Sequence, residues 1–161
     1  MIYLKIFGGI SLIISSFQLY KRAIRRENSK LEQLDAYMRL IQYIRNNIEY
    51  YLLPINKILD NCDNKIISKC LNAPPNLSIS NLSQLYYSSD ILFSDDIARI
   101  IEGFCTSFGN TYKNEQITMC EVVYKRLTEE KAKLLSETKN KNKVIFAISL
   151  AAPLLIIILL I

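Results

Sequence analysis

The chain has 161 residues, with 20 Lys and Arg against 15 Asp and Glu, no histidine, no tryptophan and four cysteines. The lack of histidine removes the usual general base and the His-dependent triads. Cys62, Cys70, Cys105 and Cys120 are widely spaced and form no C-x-x-C, so reduced, buried thiols are expected and a zinc site is not.

The first twenty residues are mostly apolar from Ile2 to Tyr20, interrupted by Lys5, Ser11, Ser15, Ser16 and Gln18. Lys21, Arg22, Arg25 and Arg26 follow at once. This order predicts a membrane anchor over residues 1–20, with Lys5 close enough to the end to snorkel to the headgroups. A cleaved signal peptide would carry its charge first and a small-residue cleavage site after a shorter apolar core. That reading and a buried soluble helix stay open as alternatives. So does a re-entrant or interfacial placement, given the serines and the short apolar run.

From Leu31 the apolar positions run Leu31, Leu34, Met38, Ile41, Ile44, Ile48, Tyr51 or Leu52, Ile55 and Ile58. Steps of three and four make one apolar stripe on a helix, with Glu32, Asp35, Arg39, Arg45 and Glu49 on the solvated side. Nothing between Tyr20 and Leu31 breaks a helix, so the anchor and this helix are expected to form one rod. Pro54 should stop or kink it near Leu53, because proline lacks the amide hydrogen and clashes with the preceding turn. Two short helical pieces are expected between Pro54 and Leu71, around Asn61–Asn64, followed by a loop at Ala73-Pro74-Pro75-Asn76.

Residues 78–93 give a weaker helical signal through Ile79, Leu82, Leu85, Tyr86 and Ile91. Ser94-Asp95-Asp96 reads as a cap for a helix that turns Ile97, Ile100, Ile101, Phe104 and Phe108 inward and finishes at Gly109. A second long helix is expected from Asn110 or Thr111, with Ile117, Cys120, Val123, Tyr124, Leu127 and Leu134 at helical spacing. It should run on into the tail, where Lys139, Lys141 and Lys143 precede the uncharged run Val144–Ile161. Eighteen helical residues reach about 27 Å, close to the hydrocarbon thickness of a bilayer. Pro153 lies within that run, where a kink is tolerated better than in water.

Both basic clusters flank the middle of the chain, so residues 21–143 are expected in the cytoplasm between anchors at 1–20 and 144–161. The segment 27–138 holds twelve Lys and Arg and all fifteen Asp and Glu, a formal charge of −3. The basic pI is therefore juxtamembrane, which favours anionic headgroups, and no basic patch interleaved with aromatics points to nucleic acid. The predicted fold class is all-α: a cytoplasmic helical bundle whose two long antiparallel helices run into N- and C-terminal transmembrane anchors.

No catalytic, cofactor-binding or metal-binding residue is expected. Gly8-Gly9 lie inside the first anchor, and Gly103 and Gly109 are isolated, so no phosphate-binding loop is present. Asp95-Asp96 reads as helix capping and Glu129-Glu130 as a solvated helix face. Tyr50-Tyr51 and Tyr86-Tyr87 are each expected to divide between core and surface.

Several features in order carry a family resemblance. Leu4-Lys5-x-x-Gly8 opens the first anchor, and Ile48-x-Tyr50-x-x-Leu53-Pro54-Ile55 marks the first helix break. Phe108-Gly109 is followed by Gln116 at the start of the last helix, and a Lys/Asn-rich stretch from Lys139 to Lys143 leads toward Leu154–Ile161. Over its whole length the chain resembles the stage III sporulation protein AB family of endospore-forming bacteria. It departs from that pattern at Asn47, where an acidic residue is usual, and at Leu53, where threonine is. Thr111-Tyr112 replaces acidic residues, and Ser149 and Pro153 stand where small glycines are expected in the tail, leaving Ser149, Ala151 and Ala152 for close packing.

The resemblance implies a non-enzymatic component of the channel complex joining mother cell and forespore. It would sit in the mother-cell-derived outer forespore membrane, with its central domain in the cytoplasm. It also implies a cytoplasmic domain similar to the inner-membrane platform proteins of type II secretion and type IV pilus systems. The implied partners are the sporulation ATPase, stage III sporulation protein AA, and other membrane proteins of the same complex, with homo-oligomers possible. Arg45, Glu49, Arg99 and Glu102 flank the apolar stripes and are the expected contact residues, while Pro54, Gly109 and Gln116 are expected to be structural. A small pore-forming or holin-like membrane protein is the alternative function, and a subunit of a membrane enzyme or transporter a third.

Overall fold

Apolar residues three and four apart can be covered together only if the backbone is helical. The computed structural model describes residues 2–51, 53–74, 79–109 and 111–160, apart from the side chains of residues 2–13, 157, 159 and 160. Within them the chain is all-α: α1 (Ile2–Tyr51), α2 (Ile55–Asp60), α3 (Asn64–Leu71), α4 (Leu82–Tyr87), α5 (Asp95–Ser107) and α6 (Lys113–Leu160). Contacts divide it into two units, Lys30–Lys133 and Met1–Ser29 with Leu134–Ile161.

In the unit Lys30–Lys133, α1 and α6 are antiparallel, as the pairs Asp35–Lys131 and Arg45–Glu121 require. The stripe from Leu34 through Met38, Ile41, Ile44 and Ile48 is buried as expected, and Ile58 continues it in α2. The buried face is wider than that stripe, for Gln33, Ala36, Tyr37 and Leu40 are buried too. Ile67, Cys70 and Leu71 of α3, Leu82 and Leu85 of α4, and Ile97, Ile101, Phe104 and Cys105 of α5 are also buried. From α6 come Cys120, Val123 and Leu127, again at steps of three and four.

The breaks fall where backbone chemistry puts them. Pro54 occupies the N-cap of α2 at φ −68°, ψ 152°, and its carbonyl accepts from the Ile58 amide at 3.1 Å. Asp63 caps α3 by accepting from the Lys65 amide, and Asn81 caps α4 by accepting from the Gln84 amide. Ser94 is the N-cap residue of α5, but its side chain makes no capping hydrogen bond and only its carbonyl accepts, from Ala98; Asp95 and Asp96 lie in the first turn as expected. That helix closes at Phe108, and Gly109 turns the chain at φ +97°. The loop after α3 begins at Asn72 with φ +53°, two residues into it Pro74 is described, and Pro75 and Asn76 lie outside the described residues. The last helix starts at Lys113 rather than at Asn110, which also lies outside them, or Thr111.

Gln33 fastens the segment between α4 and α5 to the core. Its amide nitrogen donates to the Cys70 carbonyl at 3.0 Å and the Asp90 carbonyl at 2.8 Å, and its oxygen accepts from the Leu92 amide at 2.9 Å. Tyr37 hydrogen-bonds Ser89 at 2.9 Å and meets Phe93 edge-on. The Asp90 amide donates to the Leu71 carbonyl at 3.0 Å. A seven-residue stretch without helix is thereby held by partners on α1 and α3.

In the other unit the start of α1 packs antiparallel on the end of α6. Tyr20 and Phe146 meet edge-on, and the Ser16 hydroxyl donates to the Ser149 carbonyl at 2.6 Å. Pro153 lies four residues beyond Ser149 in α6 and has no amide hydrogen to give that carbonyl. Ser16 supplies the missing donor from the neighbouring helix, so α6 runs through its proline. Among the described residues no helix is long and apolar enough to cross a membrane. Leu4, Lys5 and Gly8 of the first motif are helical in α1, while the side chains of Leu4, Lys5, Ile157, Leu159 and Leu160 and the whole of Ile161, all part of the expected anchors, lie outside what is described.

Candidate functional site

Pro54, Gly109 and Gln116 come from three separate stretches of sequence and meet around one depression in the unit Lys30–Lys133. It measures about 390 Å³ and is lined by Ile48, Leu53, Pro54, Ile55, Gly109, Lys113 and Gln116. Each wall follows from a chain break. Pro54 turns the chain from α1 into α2, Gly109 turns it out of α5, and Gln116 ties the start of α6 back to that turn. The Gln116 side chain donates to the Thr111 carbonyl at 2.7 Å, and its amide donates to the Tyr112 carbonyl at 3.0 Å. Lys113 donates to the Glu49 carbonyl at 3.0 Å. That carbonyl belongs to the last turn of α1, where it has no helical donor and where a cation complements the helix dipole.

Three exposed tyrosines stand close in sequence to that lining. Tyr50 and Tyr51 end α1 and Tyr112 precedes α6, with 71%, 70% and 83% of their surfaces exposed. The expectation that Tyr50-Tyr51 would divide between core and surface is corrected here. Both rings reach solvent. Tyr86 and Tyr87 do divide, the first half-buried and the second exposed. An apolar lining with one cation makes a depression suited to holding a protein segment.

The four expected contact residues fall into two groups. Arg45 joins α1 to α6, with its guanidinium 2.8 Å from Glu121 and 3.1 Å from Glu49. The hydrogen bond to Glu121 and the charges of Glu49 and Glu121 hold that guanidinium more firmly protonated than usual. The pair forms part of a second depression of about 400 Å³, with Ile41, Gln42, Asn46, Cys120 and Tyr124. Arg45 and Glu49 are thus committed to an internal clamp. Arg99 and Glu102 lie on α5: Arg99 pairs with Asp96 one turn back at 2.6 Å and remains largely exposed. Glu102 accepts from the Tyr87 hydroxyl at 3.3 Å, and its charge pushes the Tyr87 phenol up.

Burial pushes the thiols of Cys105 and Cys120 up to about 12 and that of Cys62 up to about 11, and it raises Cys70 as well. All four are free and buried. Neutral thiols are poor nucleophiles and poor ligands. Among the described residues no three His, Cys, Asp or Glu side chains come together to hold a metal ion.

Sequence reasoning passed over Gln33 and Tyr37 and the exposure of Tyr50, Tyr51 and Tyr112. The signal for Gln33 and Tyr37 was their i, i+4 spacing beside the apolar stripe. The signal for the tyrosines was their place beside the two strongest helix breaks, Pro54 and Gly109. No family model matches the chain, and comparison with curated proteins and with solved structures gives no significant match.

Proposed function

We propose that the chain is a non-enzymatic membrane platform, an adaptor of the secretion-like channel complex between mother cell and forespore in endospore formation. It couples a cytoplasmic ATPase to the membrane assembly. The observation that carries this reading is the convergence of Pro54, Gly109 and Gln116, residues on which the family resemblance rests, around one depression. Residues 1–20 and 144–161 are the anchors in this reading, and both basic clusters keep residues 21–143 in the cytoplasm of the mother cell. The depression and the open face of α5 with Arg99 and Glu102 take the ATPase, stage III sporulation protein AA. The Arg45–Glu49–Glu121 clamp keeps α1 and α6 moving together under load.

The test is pull-down of the full chain in lipid nanodiscs with the sporulation ATPase, with and without nucleotide. Nucleotide-sensitive capture that Tyr51→Ala or Lys113→Glu weakens at least about tenfold, the loss expected of an interface hot spot, supports the reading. Absence of capture by a folded chain overturns it. Dye leakage from vesicles carrying the chain alone would favour the pore-forming alternative instead.

A further inference from the structure

Contacts within the unit of residues 1–29 and 134–161 fix a register that brings the two basic clusters together. Ser16 bonds Ser149 and Tyr20 meets Phe146, so antiparallel α1 and α6 oppose residues whose numbers add to about 165. Lys21, Arg22, Arg25 and Arg26 therefore stand at the level of Lys139, Lys141 and Lys143. All seven are exposed. Lys141 lies 4.0 Å from Glu137, and the other six have no carboxylate in ion-pair reach among the described residues. Each cluster rises about 6 to 8 Å along its helix, close to the depth of one headgroup layer. At about 100° per residue the four cations of α1 cover an arc of about 140°, and on α6 Lys139 and Lys143 share one side with Lys141 on the opposite one, so the seven form a partial collar, not a single stripe. Directly beyond it, toward the apolar ends, stand Phe17, Tyr20 and Phe146, and the Lys21 ammonium lies 4.9 Å over the Phe17 ring. An aromatic girdle next to a cationic collar is the arrangement that suits a membrane interface.

We propose that this collar is a binding site for anionic phospholipid headgroups, selective for them over zwitterionic ones, and that it sets the depth of the helix pair. The inference rests on the membrane placement proposed above. The cations stand at one level on both helices and abut apolar and aromatic surface, which fits lipid phosphates whose tails lie against that surface; an acidic protein segment would leave the apolar side unmatched.

The chain has no tryptophan, so Tyr20→Trp provides a single reporter at the girdle. The full chain carrying it is reconstituted in vesicles, and quenching by brominated phosphatidylglycerol is compared with quenching by brominated phosphatidylcholine. The expected result is a preference for the anionic lipid of about fivefold or more at low salt, the contribution of roughly one cation, which fades as salt screens the charges. Combined Arg22→Gln, Arg25→Gln, Lys141→Gln and Lys143→Gln should bring the preference near one. Arg22→Lys with Arg25→Lys should keep it, as should Lys125→Gln with Arg126→Gln in the other unit. Equal quenching by both lipids, as a collar made for an acidic protein would give, overturns the proposal and leaves the membrane placement standing. So does a preference that survives the four neutralisations. No quenching by either lipid removes both.

Discussion

Replacing Gln33 by leucine tests the core where one amide holds three backbone groups. Leucine has similar bulk and suits a buried position, so the change removes hydrogen bonds without opening a large cavity. The Cys70 and Asp90 carbonyls lose their donor and the Leu92 amide loses its acceptor. A typical net loss is about 1 kcal/mol per bond, and about 1–3 kcal/mol when the abandoned group stays buried. Cys70 is fully buried, while Asp90 and Leu92 are partly open to water. Counting the first at about 2 kcal/mol and the other two at about 0.5 kcal/mol each gives about 3 kcal/mol. The assay is urea denaturation of the full chain in mild detergent, followed by near-ultraviolet circular dichroism of tyrosine. Eight of the ten tyrosines lie between Lys30 and Lys133, so the signal reports that unit. The midpoint should fall with the slope unchanged. A loss under about 1 kcal/mol would refute the reasoning, because water or backbone movement would then be replacing Gln33 at little cost.

Three further outcomes follow from particular contacts. Gly109→Ala should cost about 1–2 kcal/mol in the same assay, all of it backbone strain at φ +97°, since a Cβ there would meet nothing within 4 Å; an unchanged midpoint would show that the turn relaxes freely. Stability should be level below pH 9 and decline toward pH 12, measured as urea midpoints. The unfolded thiols ionise near 9 while Cys105 and Cys120 stay neutral to about 12 in the fold, so the unfolded state gains as pH rises; a midpoint rising over that range would contradict the burial. Ser16→Ala should weaken the helix pair by about 0.5–1.5 kcal/mol, and by much less in a Pro153→Ala background, where the Ser149 carbonyl regains its own amide. Equal losses in the two backgrounds, by thermal unfolding in micelles, would remove the proline from the explanation.

The helices themselves were legible because their pattern is local. Apolar steps of three and four marked α1, α5 and α6, and Pro54 and Gly109 marked breaks that any sequence with those residues would favour. Partners distant in sequence were not legible. Gln33 reads as a surface residue until Asp90 and Leu92 are known to lie against it. Arg45 reads as free until Glu121, seventy-six positions away, is seen to accept from it. Tyr51 fits the periodic stripe and is nevertheless exposed, which periodicity alone does not reveal. Of the candidate depression, the hinge residues were visible one by one, and their meeting was not.

The bond from Ser16 to Ser149 also bears on the order of assembly. Its donor lies near the start of the chain and its acceptor 133 residues later, so α1 is made long before the helix that needs it. Until the two meet, the segment around Pro153 has an unmatched carbonyl, and in the membrane placement proposed above that segment would be poorly suited to standing alone. Pairing repairs the defect. A newly made C-terminal helix is thus dependent on the N-terminal one, and a chain that has lost its first helix should be recognised as faulty and cleared sooner than a chain that has lost only part of its central domain.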